Sequence, residues 1–175
     1  MTQMPTRKLR DLEVSAIGLG CMPMSWGYNV ADADNAEIRA TIHKALDLGI
    51  TLFDTADVYG PWTNEELIGE YLVKDGLRDK AVIATKCGLT PVNMTSYGKN
   101  GHPDYVRQAC EDSLRRLGTD YIDLYQLHRV DPEVPIEETW GAFAGLVDAG
   151  KVRYIGLSET TVEETAKCHA IHPVT

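Results

Sequence analysis

With 175 residues, 43% of them hydrophobic and 25% charged, the chain has the composition of an ordinary globular protein with enough apolar material for one core. A formal net charge of −9 excludes a broad basic surface for nucleic acid or an anionic membrane, so a small molecule is the expected partner. Cys21, Cys87, Cys110 and Cys168 form no C-x-x-C pair and three of them sit in apolar or helical runs, which predicts free thiols in a reducing cytoplasm.

Met1 to Arg10 is polar and basic with no apolar stretch after it, so it is read as no export signal, and no segment reaches bilayer length. Val14 to Gly20 is the first predicted strand. Asp34 with Glu37 has the N-cap to N3 spacing of a helix start, and Ile38, Ile42, Ala45 and Leu46 follow at helical spacing up to Gly49. A second strand, Ile50 to Asp54, precedes another helix start at Thr63 with Glu66. Ala81 to Lys86 is the third strand, and Asn93 to Gly101 is the most loop-like stretch. Pro103 suits the first turn of a helix whose face is Val106, Cys110, Ser113, Leu114 and Leu117, ending at Gly118. Tyr121 to Leu127, a helix from Pro135 to Gly150, the strand Val152 to Leu157 and a capping box at Thr161 with Glu164 complete the series.

Strands alternating with helices imply parallel pairing through right-handed crossovers, an α/β architecture. A doubly wound nucleotide fold would show G-x-G-x-x-G at the first turn, but Gly18-Leu19-Gly20-Cys21-Met22-Pro23 places proline at the third glycine. A barrel instead predicts polar groups at the C-terminal ends of successive strands. The strands end in Asp54 to Gly60, Thr85-Lys86, Gln126-Leu127-His128 and Gly156-Leu157-Ser158-Glu159, so Asp, Tyr, Lys and His converge on one rim. Lys86 closes an apolar run and needs an acid, for which Asp54 is the natural partner.

At these residues the chain resembles the aldo-keto reductase family. The resemblance runs through Gly18-Leu19-Gly20 with Cys21-Met22, Phe53-Asp54-Thr55-Ala56 with Tyr59-Gly60, and Asn64-Glu65-Glu66-Leu67-Ile68-Gly69. It continues in Thr85-Lys86, Leu114 to Gly118 with Asp120 to Leu124, Gln126-Leu127-His128, and Gly150 to Ser158. It implies a (β/α)8 TIM-barrel-type fold of which this chain covers about five βα units, and reduction of aldehydes or ketones by hydride from NADPH without a metal. The catalytic tetrad is implied as Asp54, Tyr59, Lys86 and His128. Tyr59 is the proton donor, Lys86 lowers its pKa while held by Asp54, and His128 orients the carbonyl oxygen. Gly20, Cys21, Met22, Asp54 and Ser158 are implied at the cofactor, and Trp26 and Tyr28, with His128, at the substrate.

Taken singly, Asp54 with Lys86 also reads as a structural ion pair, Tyr59 as a surface ring, His128 as a satisfied loop histidine, and Trp26 and Tyr28 as loop packing. Their joint placement on successive strand ends favours the site. Cys168-His169-x-x-His172 has a metal-like composition but is read as a structural helix end. Pro23 and Glu159 depart from the family pattern, where glycine and asparagine are common. The resemblance calls for a sixth strand at the C-terminus, so residues 1–175 are read as a single barrel domain, C-terminally incomplete, and expected on their own to self-associate without saturable reduction. Two alternatives stand beside the reductase: a binding module of the potassium-channel auxiliary-subunit type, and an inactive fragment. Substrate, NADPH over NADH, and oligomeric state are not legible.

Overall fold

A computed structural model describes residues 4–27, 34–92 and 96–175. The chain opens with an antiparallel hairpin, β1 (Thr6–Leu9) on β2 (Leu12–Ser15), and continues through β3 (Leu19–Gly20), α1 (Asn35–Asp47) and β4 (Leu52–Asp54). Next come α2 (Thr63–Ile68), which runs into a π-helical turn at Gly69–Lys74, then β5 (Val82–Cys87) and a second hairpin of β6 (Leu89–Pro91) on β7 (Tyr97–Lys99). The remaining elements are α3 (Pro103–Leu117), β8 (Ile122–Leu127), α4 (Ile136–Asp148), β9 (Val152–Leu157) and α5 (Val162–Ile171).

β3, β4, β5, β8 and β9 form one parallel sheet in that order. Strands adjacent in the chain are adjacent in the sheet, with no reversal of order. A doubly wound sheet reverses at its switch point, whereas a barrel winds in one direction, so the five βα units are of the (β/α)8-barrel type.

Alternation along the strands sorts the residues into two layers. Facing the helices, Phe53, Ile83, Tyr125, Leu127 and Ile155 pack with Ile42, Ile68, Leu72, Val106, Cys110, Leu117, Trp140 and Phe143 in the main core. On the other face Ala84 and Leu124, with Leu52, Val82 and Tyr154 beside them, form a smaller cluster closed by Leu12 and Val14 of the first hairpin. The same alternation carries Leu52 to Asp54, Ala84 to Lys86, Leu124 to His128 and Tyr154 to Ser158, so the inner face ends in polar groups at the C-terminal rim.

Three local readings are corrected. Val14 to Gly20 is not one strand: Val14 and Ser15 belong to β2, and the Ser15 hydroxyl donates to the Ile17 carbonyl (2.7 Å) and accepts from the Thr51 amide (2.8 Å), turning the chain before β3. Within the polar segment Met1 to Arg10, Thr6–Leu9 pairs as β1, mostly exposed and therefore without an apolar signature. Within Asn93 to Gly101, Tyr97–Lys99 forms β7, a strand too short to show a period. The helix starts divide likewise. Asp34 accepts from the Ala36 amide (2.8 Å) and the Thr161–Glu164 box is complete. Thr63 does not cap α2, because its hydroxyl donates back to the Gly60 carbonyl (2.7 Å) and the N-cap is Trp62, with a left-handed φ of 68°.

α2 and α3 meet closely because residue 69 is glycine; a Cβ there would lie 2.7 Å from the carbonyl oxygens of Arg116 and Leu117. Beside this contact Glu65 is fully buried, accepting from Arg116 Nε (2.7 Å) and from the Thr85 hydroxyl (2.6 Å). A buried carboxylate is tolerated only while its cation is present. Arg116→Met strands Glu65 and is expected to lower unfolding stability by about 3–5 kcal/mol in urea titration. Replacing Glu65 by Gln in the same chain should recover part of the loss, and a near-neutral Arg116→Met would show that the pair carries no weight.

Candidate functional site

Backbone hydrogen bonds extend the sheet past its strand ends and fix the rim. Cys21 N–H donates to Asp54 C=O (2.8 Å), Thr55 to Ala84 (2.8 Å), Asp57 to Lys86 (3.1 Å), His128 to Cys87 (2.7 Å) and Ser158 to Leu127 (3.0 Å). Asp54, Lys86 and His128 therefore stand on backbone held by the ladder, while Tyr59 stands on the turn that follows β4, its amide donating to the Ala56 carbonyl (3.2 Å).

Lys86 is the most constrained of them. Its ammonium donates to both carboxylate oxygens of Asp54 and to the Thr55 carbonyl, each at 2.8 Å, and its side chain is 7% exposed against 40% for Asp54. The nitrogen lies 5.4 Å from the centroid of the Tyr59 ring. Tyr59 meets His128 edge to face at 5.8 Å and stacks on Trp26 at 5.4 Å, while Trp26 meets Tyr97 of β7 at 5.4 Å. Asp54, Tyr59, Lys86, His128 and Trp26 are thus one cluster. Tyr28 lies outside the described residues.

The electrostatics differ from expectation at one point. Lys86 was expected to lower the Tyr59 pKa; the phenol is instead pushed up to about 12, first by burial and then by the Asp54 charge, with Arg129 opposing. The reason is geometric, since the Lys86 ammonium is held by Asp54 and the partly exposed Asp54 carboxylate is the charge that the ring feels. His128 moves the other way, down to about 3, because burial and then the charges of Lys86 and Arg129 oppose its protonation. It is neutral at physiological pH, with Nδ1 buried and unpartnered.

The residues implied at the cofactor lie along the same rim. Gly20 is exposed at the end of β3, level with Asp54, and a Cβ there would meet nothing within 4 Å. Cys21 is fully buried, its thiol is pushed up to about 12 by burial and then Asp54, and its backbone is bonded to Asp54, Met24 and Asn64, so it shapes the rim from beneath. Met22 is half-buried and opens a 3-10 turn, Met22–Met24, in which Pro23 takes an early position that suits its fixed φ. Ser158 ends β9.

Arg129 and Tyr97 belong to the site and were not found by sequence. Arg129 donates to the His128 carbonyl (2.6 Å) and the Ser158 hydroxyl (3.3 Å) and pairs with Glu159 (2.9 Å), clamping the ends of β8 and β9 together. Its only sequence signal was adjacency to His128. Tyr97 carries none, because the three-residue strand that delivers it is too short to show a period. Among the described residues no group of three or more His, Cys, Asp or Glu stands close enough to hold a metal ion. Cys168 is buried, and His169 Nδ1 accepts from the Val174 amide (3.2 Å) at the end of α5.

Because the unfolded imidazole takes up a proton near pH 6.5 and the folded His128 only near 3, the unfolded chain binds more protons between those values, and stability falls as pH falls. From pH 7 to 5 this group is expected to cost about 2 kcal/mol. Urea midpoints of the complete barrel, unsubstituted and as His128→Gln, at both pH values check it. The variant should lose less on acidification, and equal losses would mean that His128 is not held neutral.

The Aldo/keto reductase family model matches residues 16–175. Among solved structures, the chain is similar to the aldo-keto reductase AKR11C1 from Bacillus halodurans, holo form (38% identity, TM-score 0.78), covering 89% of this chain and 50% of that one. It is similar to the glycerol dehydrogenase AKR11B4 from Gluconobacter oxydans (35%, TM-score 0.83), covering 97% of this chain and 53% of that one. It is also similar to the thermostable aldo-keto reductase Tm1743 in complex with the inhibitor epalrestat (30%, TM-score 0.80), covering 98% and 60% respectively. The chain thus spans about half the length of the structures it matches. Parallel strands in barrel order, the polar rim at their C-terminal ends and these likenesses agree, and the chain belongs to the aldo/keto reductase family.

Proposed function

We propose that the rim reduces aldehydes or ketones to alcohols with NADPH, in a single barrel domain of which residues 1–175 form the first five βα units, and that Tyr59 donates the proton. The observation that carries this reading is the convergence of a protonated phenol, a neutral imidazole and a buried Lys86–Asp54 pair on one rim. A carbonyl oxygen placed between Tyr59 and His128 would receive donors from two sides as negative charge develops on it.

The residues present fit the nicotinamide and ribose end of such a cofactor. Gly20 leaves open space at the strand end, Asp54 keeps an exposed carboxylate edge, and Ser158 offers a hydroxyl on the far side of the rim. When bound, the cofactor supplies the hydride. Tyr59 then gives its proton to the carbonyl oxygen. Lys86 and Asp54 hold the floor beneath the phenol, and His128, unable to protonate near neutrality, acts as a neutral orienting group. Trp26 and Tyr97 wall the substrate side. The reading of a small-molecule carbonyl as partner follows from this rim and the acidic chain. Four buried, unpaired cysteines support a cytoplasmic setting, and among the described residues no helix is long and apolar enough to cross a membrane.

The test uses the barrel at family length. Tyr59→Phe keeps the ring and removes the phenol, so NADPH should still bind by fluorescence titration while carbonyl reduction drops by about two orders of magnitude or more. Turnover near wild type would end the assignment of Tyr59. Running a panel of aldehydes and ketones with NADPH and NADH side by side, and glycerol with NADP+ and NAD+ because one relative is named a glycerol dehydrogenase, reads cofactor preference and substrate class together.

A further inference from the structure

We infer that Asn64 is a positioning residue of this site: it holds the first loop, Cys21 to Trp26, so that the Trp26 ring stands against Tyr59. The inference rests on the reading of the rim as a carbonyl-reducing site, and adds to it what sets the wall of the pocket.

Asn64 is the second residue of α2 and is fully buried. Asparagine is a poor helix former, and its buried amide is costly unless each polar atom finds a partner. All of them do, and the partners lie on two other segments. Nδ2 donates to the Cys21 carbonyl (2.9 Å) and to the Ser25 hydroxyl (2.8 Å), and Oδ1 accepts from the Thr55 hydroxyl (2.6 Å). None of these bonds caps the helix.

Beyond the Asn64 bonds, the far end of the loop meets Tyr59 and Tyr97 through the Trp26 ring. The loop's own hydrogen bonds are local, from Met24 to Cys21 (3.0 Å) and from Ser25 and Trp26 to Met22 (3.3 and 3.0 Å), and they shape a turn without saying where it points. The Asn64 amide supplies that direction by gripping the loop at both ends, at Cys21 and at Ser25, the residue before Trp26. The backbone N–H of Asn64 also donates to the Tyr59 carbonyl (3.2 Å). One residue therefore ties the loop that carries Trp26 and the backbone of Tyr59, and releasing its side chain frees the loop and widens the substrate side of the rim.

Cys21 provides a readout that needs no turnover. All four cysteines are buried, so iodoacetamide should label each slowly in the native chain, and mass spectrometry of the peptides resolves them. Asn64→Asp keeps the shape and turns a carboxylate toward the Cys21 carbonyl. Cys21 alone should then label about tenfold faster, as expected for a local opening that has lost its tie, with Cys87, Cys110 and Cys168 unchanged. An unchanged Cys21 overturns the inference. If all four accelerate, the fold has been lost, and Ser25→Ala, which removes only the outer bond, decides: faster labelling confined to Cys21 supports the tie, and no change overturns it. In the reductase assay the ratio of KM for a bulky to a small aldehyde should shift by about threefold or more in Asn64→Asp, whereas a merely structural loss lowers kcat for both alike. A protein that reduces no carbonyl would sink the functional reading and leave the labelling result standing.

Discussion

A lysine ammonium has been taken out of water at the end of β5, and the rim is arranged around keeping it neutralised. Lys86 has no room to reach solvent, so its charge must be met where it stands. The Asp54 carboxylate and the Thr55 carbonyl meet it, which the register allows: Asp54 closes β4 beside Ala84, and Lys86 stands two residues further along β5 on the same face. Once that pair exists, the neighbouring groups inherit its field. Tyr59 feels the partly exposed carboxylate more than the spent cation, and His128 feels burial together with two nearby cations.

The same strands serve a second layer on their other face. Asp54 and Lys86 point to the rim while Thr55 and Thr85, each a neighbour in sequence, turn outward to Asn64 and Glu65 at the start of α2. The pleat thus links chemistry inside the barrel to a buried polar network outside it. Asp57 is buried near that network, its carboxyl pushed well above the usual range by burial and then by the charge of Glu65. α2 is therefore fixed by polar ties at its N-terminal end and by the close glycine contact at its C-terminal end, and what it fixes in turn is the loop carrying Tyr59.

Much of this was legible in the sequence because the signals were periodic or chemically costly. Val106, Cys110, Ser113, Leu114 and Leu117 recur as a buried helical face, and all are buried in α3. Lys86 was conspicuous as a charge closing an apolar run. The hairpins were not legible, since β1 is an exposed polar strand and β6 and β7 have three residues each, too few for alternation to register. Thr63 carried a capping pattern that a stronger local bond, to Gly60, diverted. The Tyr59 pKa was misjudged because a motif names the cation near the phenol but not the distance at which a carboxylate has already claimed it. Arg129 and Tyr97 reach the site through tertiary contacts that no local pattern announces.

The claim that Lys86 is held by Asp54 is tested most directly by a double-mutant cycle on unfolding free energy in urea, with Asp54→Asn, Lys86→Met and the double variant. Asp54→Asn alone should cost roughly 2 kcal/mol, below the usual toll of a fully buried pair because the Asp54 side chain is 40% exposed. In the Lys86→Met background the same substitution should cost far less, since no buried charge remains to be stranded. Equal costs in the two backgrounds would contradict the account, and would mean that the two residues meet on the rim without depending on one another.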